Sequence, residues 1–292
     1  MTVINTNTAA TIAANALKQN ERSMATAMER LSTGLRINSA GDDAAGLAIS
    51  SKMTSQINGL NQAVRNANDA ISMIQTADGA IIEISEMLQR MRELAVQARS
   101  GTNSSTDSAA LDLEFEALKT GIEAIADNTE WNGVKLLDGT VGTTTFQVGS
   151  GANQEMTVTF GDYETLNTDA TSGIFEGLDQ SALGGTAATD LASADIGAAA
   201  NAETTITRLD FALEHLNANR ATLGSSISRL EFTADNLANV SQNTSASRSR
   251  ILDANYAAET TELARTQIIQ QAATAMLSQA NQAAQSVLSL LK

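Results

Sequence analysis

Between positions 53 and 98 the apolar residues recur in alternating steps of three and four. They run Met53, Ile57, Leu60, Val64, Ala67, Ile71 and Ile74, then, after one shortened step beside Gly79, Ala77, Ile81, Ile84, Leu88, Met91, Ala95 and Ala98. Such a rhythm draws one apolar stripe along a helix, and the stripe needs a partner helix to cover it. The 292 residues contain no proline, so nothing of that kind breaks the helix. The stretch therefore predicts one helix of about 70 Å at 1.5 Å per residue. Two shorter stripes supply partners: Leu111, Phe115, Leu118, Ile122 and Ile125, and Leu209, Leu213, Leu216, Leu223, Ile227, Leu230, Ala234 and Leu237, the latter with Arg220 at one seam position. The expected fold is mainly α, a long antiparallel coiled-coil helical rod.

Both ends of the chain carry the same rhythm. Ala10, Ala14, Leu17, Met24, Met28, Leu31 and Leu35 mark the first seam, with Glu21 its one polar occupant, and Ile269, Ala273, Met276, Ala280, Ala283, Val287 and Leu290 mark the last. Matching seams predict terminal helices forming a coiled-coil layer of their own. Alanine buries little area, and a short helix pair is marginal in water. The two ends are thus expected to become fully ordered only when other copies cover them.

The connections are equally readable. Gly34, Asn38, Ser39 and Gly41 interrupt the helix pattern, and the Asp42-Asp43 pair restarts it where an N-cap and the helix dipole favour negative charge. "NTEWNGVKLLDG" is turn-rich and pinned by Trp131. "TFQVGSGANQEMTVTF" has period two, with Phe146, Val148, Met156, Val158 and Phe160 on one face, and predicts a β-hairpin near 144–160. Residues 161–200 predict a loop-rich exposed insertion. The division expected is 1–43 for the N-terminal helix and its loop, 44–248 for the rod, and 249–292 for the C-terminal segment.

Composition narrows the function. Aromatic residues make up 3% of the chain and cysteine is absent, which excludes disulfides and thiolate metal sites. Net charge is −15, but residues 1–60 and 248–292 are each at +1, so the middle holds the whole excess, at −17. That distribution argues against nucleic acid or an anionic membrane as partner, and it suits buried ends with a solvated middle. The single histidine, His215, has no second histidine or nucleophile at a catalytic spacing. No catalytic, cofactor-binding or metal residue is assigned, and an enzyme is not expected. No apolar run is long enough for a membrane span, and the N-terminal segment lacks the form of a cleavable secretory signal.

The motifs resemble bacterial flagellins. The resemblance rests on "LSTGLRINSAGDDAAGLAIS" at 31–50, "LQRMRELAVQA" at 88–98, "WNGVKLLDG" at 131–139, "FQVGSGANQ" at 146–154, "NRATLG" at 219–224, "SRILDANYAAET" at 249–260 and "QIIQQAATAMLSQAN" at 267–281. It implies a subunit that polymerises with copies of itself into the extracellular flagellar filament for motility. The two chain ends would form its inner tube, so Leu17, Met24, Met28, Leu31, Leu35, Ile269, Met276, Val287 and Leu290 become the candidate self-assembly seam. It also implies type III export, an export chaperone, a cap protein and a junction protein as partners, and recognition by the host's Toll-like receptor 5. Arg90 and Leu94 match central receptor contacts, one helical turn apart and so able to share a face, and Glu114 matches one on the next helix. The alternatives are a hook-filament junction protein, which shares the architecture, and a secreted coiled-coil protein that never polymerises.

Overall fold

The computed structural model describes residues 7–163 and 194–289. Leu290, the Val287 side chain and residues 164–193 of the expected insertion lie outside the described residues. The elements in order are α1 (Thr8–Thr33), α2 (Ala44–Ala98), α3 (Ser105–Asn128), β1 (Glu130–Trp131), β2 (Val134–Lys135), β3 (Thr143–Gln147), β4 (Glu155–Thr159), α4 (Ala199–Leu252) and α5 (Tyr256–Ser289). The fold is mainly α, and among the described residues the strands form two small antiparallel pairs. Two compact units divide the chain, one of Met1–Asn58 with Ser241–Lys292 and one of Gly59–Val240, the divisions falling within α2 and α4.

In the second unit the stripes read from the sequence become the core. Ala67, Ile74, Ala77, Ile81, Ile84, Leu88, Met91 and Ala95 of α2 pack in one cluster with Phe115 and Ile122 of α3 and Leu209, Leu216, Leu223 and Leu230 of α4. Full burial of each larger side chain contributes about 1.5–3 kcal/mol before ordering costs. Ion pairs at the cluster's edge fix the antiparallel sense of α2 and α4: Arg92 to Asp210, Arg99 to Glu203, and Arg220 to Asp78 at 2.9 Å. Arg220, the polar occupant of the α4 stripe, is thus held at its seam by a carboxylate from α2. Helix α3 starts with a capping box, in which the Ser104 hydroxyl accepts from the Asp107 amide and the Asp107 carboxylate accepts from the Ser104 amide. One buried charge was not foreshadowed by the stripes: Lys119 of α3 sits in the interior and its Nζ pairs with Glu116 at 2.9 Å.

The expected hairpin is β3–β4, registered Phe146 opposite Met156 and Thr144 opposite Val158. Met156, Val158 and Phe160 are buried and join the helical core. A second, smaller hairpin, β1–β2, pairs Trp131 with Val134. Its turn residues Asn132 (φ 52°) and Gly133 (φ 78°) are both left-handed, the backbone that an Asn-Gly pair supplies in a two-residue hairpin. In the sequence this stretch reads only as turn-rich, because two-residue strands carry no alternation to detect.

Candidate self-assembly surface of the terminal helices

Helix α1 begins at Asn7, whose side chain accepts from the Ala10 amide, and ends at Gly34, left-handed at φ 72°, whose amide donates to the Arg30 carbonyl. Beyond that cap the chain forms an antiparallel bridge between Leu35 and Asp253. The Arg36 amide donates to the Leu252 carbonyl, the Ala254 amide to the Gly34 carbonyl at 2.9 Å, and the Arg36 guanidinium to the Ile251 carbonyl at 2.7 Å. Asp42 closes the loop by accepting from the Ser39 amide at 2.9 Å, the Asn38 amide at 3.1 Å and the Ser39 hydroxyl. These bonds, led by the Ser39 amide, hold its carboxyl below the usual carboxylate range. Asp43 caps α2 by accepting from the Gly46 amide at 2.8 Å.

Three polar contacts set α1 and α5 side by side and antiparallel. The Asn7 side chain donates to the Ala280 carbonyl at 3.2 Å, the Asn20 side chain to the Thr266 carbonyl at 2.7 Å, and the Arg30 guanidinium pairs with Glu259 at 3.2 Å. Along this contact the less exposed positions of α1 include Ala10, Ala13, Ala14, Leu17, Asn20, Met24, Ala27 and Leu31, and those of α5 include Glu259, Leu263, Thr266, Gln270, Ala273, Leu277 and Ala280.

The period of seven is the one read from the sequence, but the intermediate step differs. Ala10, Ala14, Leu17, Met24 and Leu31 stand on the stripe, with Ala13 beside Ala14, whereas Asn20 and Ala27 take the places of Glu21 and Met28. On α5, Ala273 and Ala280 stand on it, and Gln270 and Leu277 replace Ile269 and Met276. The cause is the contact itself. Two helices approach closely where side chains are small, so Ala27 turns inward at 2% exposure while Met28 is 55% exposed. Ile269 and Met276, seven residues apart on one face of α5, are 40% and 65% exposed. Ile12 and Ile268 are also exposed, and the antiparallel register puts Ile12 at the height of Met276. Leu35 is half-buried at the bridge, beside a shallow groove formed with Ile37, Leu47, Ser50, Thr54 and Leu252.

The residues matched to receptor contacts separate. The Arg90 guanidinium binds Glu114 of α3 through Nε at 3.0 Å and Nη2 at 2.8 Å, and Glu93 through Nη1 at 3.0 Å. The Glu114 bonds first, then Glu93, raise its already high pKa. Leu94 lies in the core at 1% exposure, so it does not share the outward face of Arg90. A spacing of four allows a common face, but α2 is covered on the side that Leu94 takes. His215 is exposed on α4. Among the described residues no group of three or more His, Cys, Asp or Glu is placed to hold a metal ion, and no helix is long and apolar enough to cross a membrane.

Comparison with known proteins agrees with this architecture. The family description "bacterial flagellin N-terminal helical region" matches residues 4–142, and "bacterial flagellin C-terminal helical region" matches residues 206–291. A flagellin from Halalkalibacterium halodurans is 48% identical over 266 residues, covering 91% of each chain. A flagellin from Bacillus subtilis is 43% identical over 306 residues, covering 99% of each. A solved chain described as a flagellar hook-associated protein from Vibrio parahaemolyticus shares the fold alone, with TM-score 0.57 and 12% identity over 73% of this chain and all of that one. Matched in both helical regions and along nearly its whole length, the chain belongs to the bacterial flagellin family, the structural subunits of the flagellar filament.

Proposed function

We propose that this subunit assembles through the faces of α1 and α5 that their own pairing leaves open. The observation that carries the reading is the large apolar side chains left uncovered beside the occupied seam, Met28 on α1 and Ile269 and Met276 on α5. Neighbouring copies that bury the exposed half of each of these side chains gain roughly 1 kcal/mol apiece, about half the value for full burial. Those gains, summed over copies, offset the ordering of the marginal end helices. The near-neutral ends suit such burial, and the acidic middle suits a solvated outer wall.

The remaining partners follow from family membership and from the same surfaces. An export chaperone would cover the exposed α5 stripe before type III export, and the cap and junction proteins would meet the subunit at the two ends of the filament. Recognition by Toll-like receptor 5 would centre on the exposed Arg90 and Glu114, with Leu94 supporting them from the core. Negative-stain microscopy of purified protein tests the assembly reading: long helical filaments are expected, and a short cap or no polymer would overturn it. Deleting residues 281–292, which removes α5 beyond the Asn7 contact at Ala280, should abolish polymerisation while the helices of Gly59–Val240 stay folded. For the receptor, a reporter-cell assay in which Arg90→Ala signals as strongly as the parent protein would refute the assignment.

A further inference from the structure

The chain has no cysteine, so its oxidisable sulfur lies in nine methionines. Burial sorts them sharply. Met73, Met91 and Met156 are in the core, Met24, Met53 and Met87 are half-buried, and Met1 is outside the described residues. Met28 and Met276 alone among the described methionines are mostly exposed, and both lie on the terminal helices just off the α1–α5 seam. Met276 shares its face with Ile269, and Ile12 stands at the same height on α1. Thioether oxidation follows access to solvent, and it turns an apolar, flexible side chain into a polar one. The two accessible sulfurs are thus placed where polarity matters most to the assembly surface.

We propose that Met276, together with Met28, is an oxidation site through which a peroxide switches self-association off. The proposal rests on the assembly reading above. In the step, a sulfur lone pair attacks one oxygen of hydrogen peroxide. A sulfur–oxygen bond forms as the oxygen–oxygen bond breaks, the departing hydroxide takes up a proton, and the products are the sulfoxide and water. Sulfur is oxidised by two electrons and peroxide is reduced by the same two. The sulfoxide oxygen then faces a neighbour that offers an apolar surface, and an unpartnered polar group there opposes burial.

The test treats the full chain, as monomer, with hydrogen peroxide, maps sulfoxides by peptide mass spectrometry and measures the critical concentration for polymerisation. Sulfoxide is expected at Met276 and Met28 well before Met73, Met91 and Met156. The critical concentration should rise roughly tenfold or more, and treatment with a methionine sulfoxide reductase should restore it. The double variant Met28→Leu, Met276→Leu removes both accessible sulfurs, and its own critical concentration, whatever its value beside the parent's, should be the same before and after peroxide. Oxidised parent protein that polymerises like the untreated sample would overturn the proposal, as would an equal loss in the double variant. Untreated protein that fails to polymerise would instead overturn the assembly reading itself, so the two failures are told apart by the untreated arm.

Discussion

Leu94→Ala and Arg90→Ala should have opposite profiles, although the two residues are one helical turn apart. Leu94 is 1% exposed in the cluster shared by α2, α3 and α4. Truncating a buried leucine costs about 2–5 kcal/mol, the lost transfer energy plus a cavity that neighbours refill only in part. The unit Gly59–Val240 has about 180 residues. At roughly 2.1 cal/mol/K per residue its unfolding entropy is about 0.38 kcal/mol/K near the midpoint. The loss therefore lowers Tm by about 5–13 °C. Arg90 makes its bonds to Glu93 and Glu114 at a half-exposed surface, where screening leaves ion pairs weak, so Arg90→Ala should move Tm by less than about 2 °C. Thermal unfolding of the full chain, followed by circular dichroism, measures both. A fall below about 2 °C for Leu94→Ala would refute its placement in a tight core.

Further outcomes can be measured in the same way. Asp42 has a depressed folded pKa, so its contribution is present above the ordinary carboxyl value of about 3.9 and is lost as pH falls through the lower folded value. Amide exchange at Asn38 and Ser39 should accordingly quicken below about pH 4 beyond its intrinsic trend, and Asp42→Asn should remove that rise. Gly139 has φ 77°, and an added Cβ would meet Asp162 Oδ2 at 2.6 Å. Gly139→Ala should therefore cost about 1–3 kcal/mol, read as a lower Tm, with an unchanged melt counting against the strained turn. Ala27→Leu adds volume at the closed α1–α5 seam and should raise the critical concentration for polymerisation, whereas an unchanged value would show that the seam has slack there.

The helical rod was legible because its stripes are built from Leu, Ile, Val and Met, whose burial leaves one phase open along α2, α3 and α4. The terminal pair was less so. Its period of seven could be read, but between the seven-residue anchors two neighbouring residues compete for the inward place, so hydrophobicity could not decide between Ala27 and Met28 or between Leu277 and Met276. Packing across the pair decided it, turning Ala27 and Gln270 inward beside the bulkier Met28 and Ile269, and Leu277 inward in place of Met276. Asn20 entered the seam because its side chain reaches the Thr266 carbonyl, a partner no local pattern announces. Leu94 can share a face with Arg90 by spacing alone, but which residues of a helix are covered depends on α3 and α4, and Leu94 lies in the core at 1% exposure. The Asn132-Gly133 turn did carry a hairpin signal, but its strands are too short to add an alternating pattern to it.

The stitching of residues 34–36 to residues 251–254, continued by the Asn20–Thr266 and Arg30–Glu259 contacts, joins positions separated by 215 to 246 residues. Contacts so distant along the chain carry a large closure entropy and form late. A ribosome or a narrow conduit delivering the polypeptide amino end first must therefore release residues 251–266 before this part can close. Until then α1 has no α5 beside it, and its apolar stripe waits uncovered for a partner made more than two hundred residues later.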